Sequence, residues 1–277
     1  MSKLTASSYR AKSLFTSHGA GPLVLLGVPH QQPLIAILEG CRHYLDEAQG
    51  VIIFTAHWET DHPTISAADQ YKLLYDYPPS LPKEAFEFQY PAPGSNSLAQ
   101  LIRRQLEDEG FQPVMDYERG WDHGVYVPMQ ILRPSADLPI VQMSVLKSKD
   151  SAEHFRLGQA MEKFLDMGFV ILGSGSSFHN LADVQSCMRE GGLKAVRHSN
   201  KAFEDALKRA AEIEDAQRRK EALLSWRTFQ NSTYIQPVGH EEHFMPLMVA
   251  AGAGGNQKGQ KLDSWELFGA ELSTYVW

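Results

Sequence analysis

Five histidines stand in local settings suited to chemistry. His18 lies in Ser17-His18-Gly19-Ala20-Gly21-Pro22, where glycines strip side chains from around the ring. His57 ends the apolar run Val51-Ile52-Ile53-Phe54 and is backed by Trp58. His123 sits in Gly120-Trp121-Asp122-His123-Gly124, a glycine-bounded turn ahead of the apolar segment 125–132. His179 follows Gly173-Ser174-Gly175-Ser176-Ser177-Phe178, just past another apolar run, and His243 lies in Glu241-Glu242-His243-Phe244 where a helical pattern begins. Imidazole ligates Fe, Zn, Cu and Ni and titrates near neutral pH, so such a set can hold a metal or move protons. A ligating imidazole needs an acceptor on its other nitrogen, and Asp122 and Glu242 are neighbours of the right type. Ordinary packing remains the alternative for each ring. His30, His43, His62, His154 and His198 lie in plain helical or polar surroundings and read as surface or filler residues.

Three better-known chemistries are disfavoured by spacing, order or a missing residue. His240-Glu241-Glu242-His243 places its histidines three apart, whereas the zinc-protease helix needs four. Gly173-Ser174-Gly175-Ser176-Ser177 lacks both the order of a serine-nucleophile elbow and the lysine of a phosphate-binding loop.

Positioning these residues requires strands that end at a common edge. Segments 50–57, 139–146 and 169–174 are short, β-branched and bounded by turn formers, so each reads as a buried strand; 21–26 is a weaker fourth. Helical patterns cover 33–48, 96–109, 151–167 and 199–229. Ser151 with His154 gives a partial cap for the third of these. The alternation predicts βαβ units: one α/β domain over residues 1–277, with a central, mostly parallel sheet flanked by helices. Loops just past parallel strands gather at one edge, which predicts a metal site at the carboxyl ends of the strands. The proline-rich stretches 77–82 and 90–94 read as loops within this domain. The stretch 194–227, dense in Lys, Arg, Glu and Ala, reads as a solvated amphipathic helix or pair with no chemistry.

Composition narrows the partners. A formal net charge of -7 argues against nucleic acid and against an anionic membrane surface. No apolar run approaches the ~20 residues of a membrane span, and the first residues show no secretory apolar region. Cys41 and Cys187 are far apart and form no CxxC, so the expected setting is cytoplasmic and reducing.

Seven stretches in order carry a resemblance: Ser17-His18-Gly19, Ala56-His57-Trp58, Tyr90-Pro91-Ala92-Pro93-Gly94, Trp121-Asp122-His123-Gly124, Pro139-Ile140-Val141-Gln142-Met143-Ser144, Gly173-Ser174-Gly175 through Phe178-His179-Asn180-Leu181, and Glu242-His243-Phe244-Met245-Pro246-Leu247. From about Phe15 onward the chain resembles the class III (LigB-type) extradiol ring-cleaving dioxygenases, and most closely the 4,5-DOPA extradiol dioxygenase-like branch. That resemblance implies a non-haem metal held by His18, His57 and either His243 or Glu242. It implies His179 as a further ligand or acid/base, and His123 facing substrate and O₂. Fe(II) is the implied catalytic ion and Zn(II) the alternative occupant. The implied reaction opens a single-ring catechol beside its hydroxyls; zinc-dependent hydrolysis and non-catalytic binding are the competing readings. Tyr90, Trp58 and Trp121 are candidate pocket walls, with core packing as the alternative. The early motif departs from the usual His-Gly-Ser-Pro by one inserted residue and the loss of a hydroxyl. Arg119 is the only basic residue beside a histidine motif, which predicts neutral or zwitterionic catechols such as DOPA or an alkyl catechol over protocatechuate or gallate.

Overall fold

The computed structural model describes residues 9–277. The chain runs β1 (Ser13–Ser17), α1 (Gln32–Gly40), β2 (Gly50–Thr60), β3 (Thr64–Ser66), α2 (Asn96–Asp108), β4 (Val114–Asp116), α3 (His123–Leu132), β5 (Ile140–Leu146) and α4 (Ser151–Asp166). It continues through β6 (Phe169–Gly175), α5 (Leu181–Arg189), α6 (Lys201–Ala211), α7 (Ala216–Leu224), α8 (Ser232–Ile235), α9 (Met245–Ala253), β7 (Gln260–Leu267) and β8 (Ala270–Val276). One eight-stranded sheet has the order β4-β3-β5-β2-β6-β1-β8-β7. Its centre, β5-β2-β6-β1, is parallel throughout, while β3 joins β5 and β8 joins β1 antiparallel.

The three expected strands are present because both of their faces are covered, which demands continuous apolar runs. Central β1 reads differently. All five of its residues are buried, yet three are Ser or Thr. Their hydroxyls are satisfied internally: Ser13 Oγ donates to Ala250 O at 2.8 Å, and Thr16 Oγ1 lies 3.2 Å from Thr274 Oγ1. The expected strand at 21–26 is instead a 3-10 turn, Gly21–Leu23, entered through Gly21 at φ +57° with Pro22 next. An L residue with a side chain would be strained at that φ, and proline supplies no strand donor. The helix expected over 33–48 ends at Gly40 and passes into a 3-10 turn, Arg42–Leu45. Residues 199–229 divide into α6 and α7, with Asp215 accepting from Arg218 N at the second start. The cap of α4 is Asp150, whose Oδ1 accepts from Glu153 N at 2.8 Å.

Neighbouring residues on β6 show how the two faces are used. Successive strand side chains point to opposite faces. A Cβ on Gly173 would meet Pro246 O at 2.3 Å, so the segment leading into α9 lies on that face. The next residue, Ser174, donates to Gly124 O in α3 on the other face. A Cβ on Gly175 would sit 2.1 Å from His243 O. The glycines at 173 and 175 therefore serve close backbone approach, which brings His243 to the strand end.

His154 is not a surface filler. It is fully buried in α4, where Nε2 accepts from Leu146 N at 2.9 Å and Nδ1 donates to Asp150 O at 2.7 Å. The bond that Nε2 accepts requires the neutral ring. Burial, against the opposing pull of the Asp150 carbonyl, brings its pKa down to about 4 from 6.5. Above pH 6.5 the native and unfolded chains both carry it neutral; as pH falls from 6.5 towards 4 only the unfolded chain gains the proton. Stability is therefore lost on acidification through that window, by about 3 kcal/mol at most from this group. His154→Gln should flatten the acid limb, read as urea midpoints at pH 7 and pH 5.

Candidate metal centre

β2 extends past His57 to Thr60, but its pairing with β5 slips between Thr55 and Glu59. Thr55 pairs with Ser144 and Glu59 with Val145, so Ala56, His57 and Trp58 bulge from the ladder. Such a bulge re-aims a side chain, and here His57 turns into a cavity while Trp58 stacks beneath Arg119, 5.1 Å from its ring centre. Arg119 also donates to His57 O at 3.0 Å and to Asp122 Oδ2 at 3.1 Å, which pins the bulge.

His18 leaves the end of β1, His57 the bulge of β2 and His243 the turn before α9. Their inner nitrogens converge: His57 Nε2 is 3.1 Å from His18 Nε2 and 3.3 Å from His243 Nε2. The outer nitrogens face acceptors. Ser174 spends its hydroxyl proton on Gly124 O, so it accepts from His18 Nδ1 at 2.9 Å. Glu242 Oε1 accepts from His243 Nδ1 at 3.1 Å. Nδ1 of His57 faces Asp76 Oδ2 at 3.6 Å. With protons held on Nδ1 of His18 and His243, both Nε2 lone pairs are turned inward.

His123 opens α3 and belongs to the same group, its ring centre 3.8 Å from that of His57. Its acceptor is Asp76, not the adjacent Asp122: Nδ1 donates to Asp76 Oδ1 at 2.7 Å and the backbone N–H donates to the same oxygen at 3.1 Å. Asp122 is fully buried and faces away, accepting from Thr55 Oγ1 at 2.8 Å, from Arg119 and from Gln142 Nε2. Asp76 was missed in the sequence because it lies in a proline-rich loop remote from every histidine motif. His179 stacks flat on His243, ring centres 3.5 Å apart at 16°. Its buried Nδ1 has no hydrogen-bond partner among the described residues and lies 3.5 Å from Glu242 Oε1. Two sets of residues, His18/His57/His123 and His179/Glu242/His243, each bring their own donor atoms within 4.8 Å of one another.

Burial, reinforced by neighbouring imidazoles, holds His18, His57 and His243 well below the usual histidine range. His179 comes down to about 4, by burial first and His240 second. Burial pushes the Asp76 carboxyl up, but the bond and charge of His123 outweigh it and leave a lowered value. His18, His57, His179 and His243 are thus held as neutral imidazoles, with Asp76 and Glu242 placed behind the rings.

All five histidines face one cavity of about 510 Å³. The expected walls are not its walls. Tyr90 is buried with its hydroxyl on Arg133 O, Trp121 is in the core, and Trp58 lies under Arg119. The aromatic lining is Tyr77, Phe178 and Trp265. No lysine or arginine among the described residues lines the cavity; its acidic side chains are Asp76 and Glu242.

Residues 13–271 match the family described as the catalytic LigB subunit of aromatic ring-opening dioxygenase. The chain is 36% identical over 278 residues to dioxygenase tasH of Hapsidospora irregularis, covering 94% of this chain and 83% of that protein. It is 32% identical over 262 residues to the 4,5-DOPA dioxygenase extradiol of Beta vulgaris, covering 92% of each. The crystal structure of an uncharacterized protein, JW3007, from Escherichia coli K12 shares the fold, with a TM-score of 0.74 at 23% identity over 96% of this chain and 99% of that one. No helix among the described residues is long and apolar enough to cross a membrane. The chain belongs to the LigB family of aromatic ring-opening dioxygenases, on its extradiol ring-cleaving branch.

Proposed function

We propose that this protein opens the ring of a single-ring catechol with O₂ at an Fe(II) ion held by His18, His57 and His243. The observation that carries the proposal is the convergence of the three Nε2 atoms at 3.1 and 3.3 Å. Lone pairs facing one another at that range repel, and a cation between them relieves the repulsion. With metal–nitrogen bonds of about 2.1 Å, those separations correspond to angles of about 95° and 104°, between octahedral and tetrahedral values. The donor set therefore fits a divalent transition metal, and Zn(II) would use the same nitrogens. Glu242 supports His243 from its Nδ1 side, so His243 and not the carboxylate is the proposed third ligand. When bound, the iron supplies open positions where both catechol oxygens and O₂ meet.

The chain's own groups do the rest. His179 is stacked almost parallel to His243, so the in-plane lone pairs of the two rings do not aim at a common point. That favours acid/base work over ligation for His179, which is neutral; its buried Nδ1 lies toward Glu242, which leaves Nε2 as the nitrogen to take the second catechol proton. His123 keeps Nε2 available while Asp76 holds Nδ1 and balances any charge the ring acquires, which suits it to deliver a proton to oxygen and to face the O₂ position. Tyr77, Phe178 and Trp265 exclude water from the reacting oxygens. The unit carrying this activity is one LigB-like domain over residues 1–277 in the cytoplasm, with a small aromatic substrate and O₂ as its partners.

The test is anaerobic reconstitution with Fe(II), then O₂ uptake on catechols with detection of a yellow semialdehyde or its cyclised product. Stoichiometric uptake and ring opening support the reading. A protein shown to hold iron that opens no catechol returns the site to hydrolysis or binding. Asp76→Asn should keep the metal and lower kcat by about 10–100-fold, because the orienting acceptor of His123 is weakened. Metal analysis beside steady-state rates checks it.

A further inference from the structure

The cavity is larger than the proposed reaction needs. A volume of about 510 Å³ lies in the range that buries a drug-sized molecule, about 300–1,000 Å³, and a bare catechol ring is much smaller. Two apolar surfaces enclose the excess. One is a face of α5: Leu181, Val184 and Met188 recur at helical spacing and line the cavity. Leu181 and Met188 remain 50% and 37% exposed, unusual for large apolar side chains on a concave wall. The other is the C-terminal hairpin, where Trp265 on β7 pairs across the ladder with Leu272 on β8 and Leu267 shares their face.

Three hydroxyls around this space are already engaged, whereas Trp265 Nε1 and His179 Nδ1 have no partner among the described residues. The Tyr77 hydroxyl donates to Ala85 O and accepts from Tyr126, leaving its ring to face the cavity. Ser17 Oγ accepts from Gly19 N and Ser176 Oγ donates to Phe178 O. Asp76 and Glu242 are the carboxylates in the lining and no lysine or arginine among the described residues lines it, so a substrate carboxylate finds no side-chain partner outside the metal centre.

We infer that the preferred substrate is a catechol bearing an extended apolar substituent, which the α5 face (Leu181, Val184, Met188) and the hairpin face (Trp265, Leu267, Leu272) bury. This rests on the reading of the site as a catechol-cleaving metal centre. The same observations disfavour protocatechuate, and they also place DOPA, with its charged side chain, below alkyl catechols.

The test separates binding from chemistry. Protein loaded with zinc, under nitrogen, is titrated calorimetrically with 4-methyl-, 4-propyl-, 4-hexyl- and 4-octylcatechol, and with DOPA and protocatechuate. Kd should fall about two- to fourfold per methylene until the cavity is filled, and the carboxylated compounds should bind more weakly than the hexyl member. Kd that is flat or rises with chain length overturns the inference. Met188→Asp should weaken the octyl member at least tenfold more than the methyl member; equal weakening of both overturns it, and Met188→Ala gives a milder version that does not place a charge. Iron-loaded protein with O₂ then reports on the reaction. Length-dependent binding without ring opening sustains this inference and removes the catalytic reading, whereas ring opening with flat length dependence does the reverse.

Discussion

His57→Ala should lose bound metal and ring-opening activity together. His57 is the hub of the site, since its Nε2 contacts both His18 Nε2 and His243 Nε2. Alanine leaves two donors and removes the one that touches both. The turnover expected is at most about one-thousandth of the parent, about 4 kcal/mol of lost transition-state stabilisation. The fold should survive, because the bulge is held by backbone and by Arg119 on the His57 carbonyl. Elemental analysis, the melting temperature and O₂ uptake measure the three quantities. A variant that keeps stoichiometric metal would move the ligand set to His179, Glu242 and His243, the second donor cluster.

His123→Ala should do the opposite with the metal. Its Nδ1 is committed to Asp76 and, in the proposed division of roles, its Nε2 serves the reacting oxygens. Metal content should stay near the parent value while kcat falls about 100- to 10,000-fold, the range for a lost general acid or base. KM should change little, since a proton donor acts mainly in the transition state. Loss of metal instead would assign His123 to the ligand shell beside His18 and His57, a grouping whose donor atoms also lie within 4.8 Å. The pair of variants therefore distinguishes holder from catalyst by two independent readouts.

The parts of this fold legible in the sequence are those where burial forces an apolar pattern. β2, β5 and β6 are covered on both faces and announce themselves. β1 is equally buried but uses hydroxyls bonded to α9 and β8, so its pattern is polar, while the apolar 21–26 run coils around Gly21 and Pro22. The five histidines were legible as a group because four lie next to a glycine turn or a strand end and His243 at a helix start, and the structure brings all five to one cavity. Their supports were only half legible. Glu242 sits beside His243 as its position suggests, but Asp76 reaches His123 across 47 positions, and only tertiary structure brings them together. Aromatic identity likewise does not tell which side of a sheet a ring occupies: Trp58 and Trp121 lie away from the cavity, and Trp265 on an unanticipated hairpin lines it.

The place of β1 has a consequence for how the protein is made. Among the described residues it is the earliest strand in the chain, yet it lies between β6 and β8, whose first residues are Phe169 and Ala270. During translation its backbone donors and acceptors wait, unpaired, for partners far downstream. Closure comes with β8, when Ser13 and Trp277 exchange hydrogen bonds of 3.1 and 2.8 Å in both directions. Until β6 emerges His18 has no rigid mount, and until β8 follows an open strand edge is available to other nascent chains. Yield in a cell-free system should consequently depend on chaperone supply during elongation more than on the stability of the finished molecule.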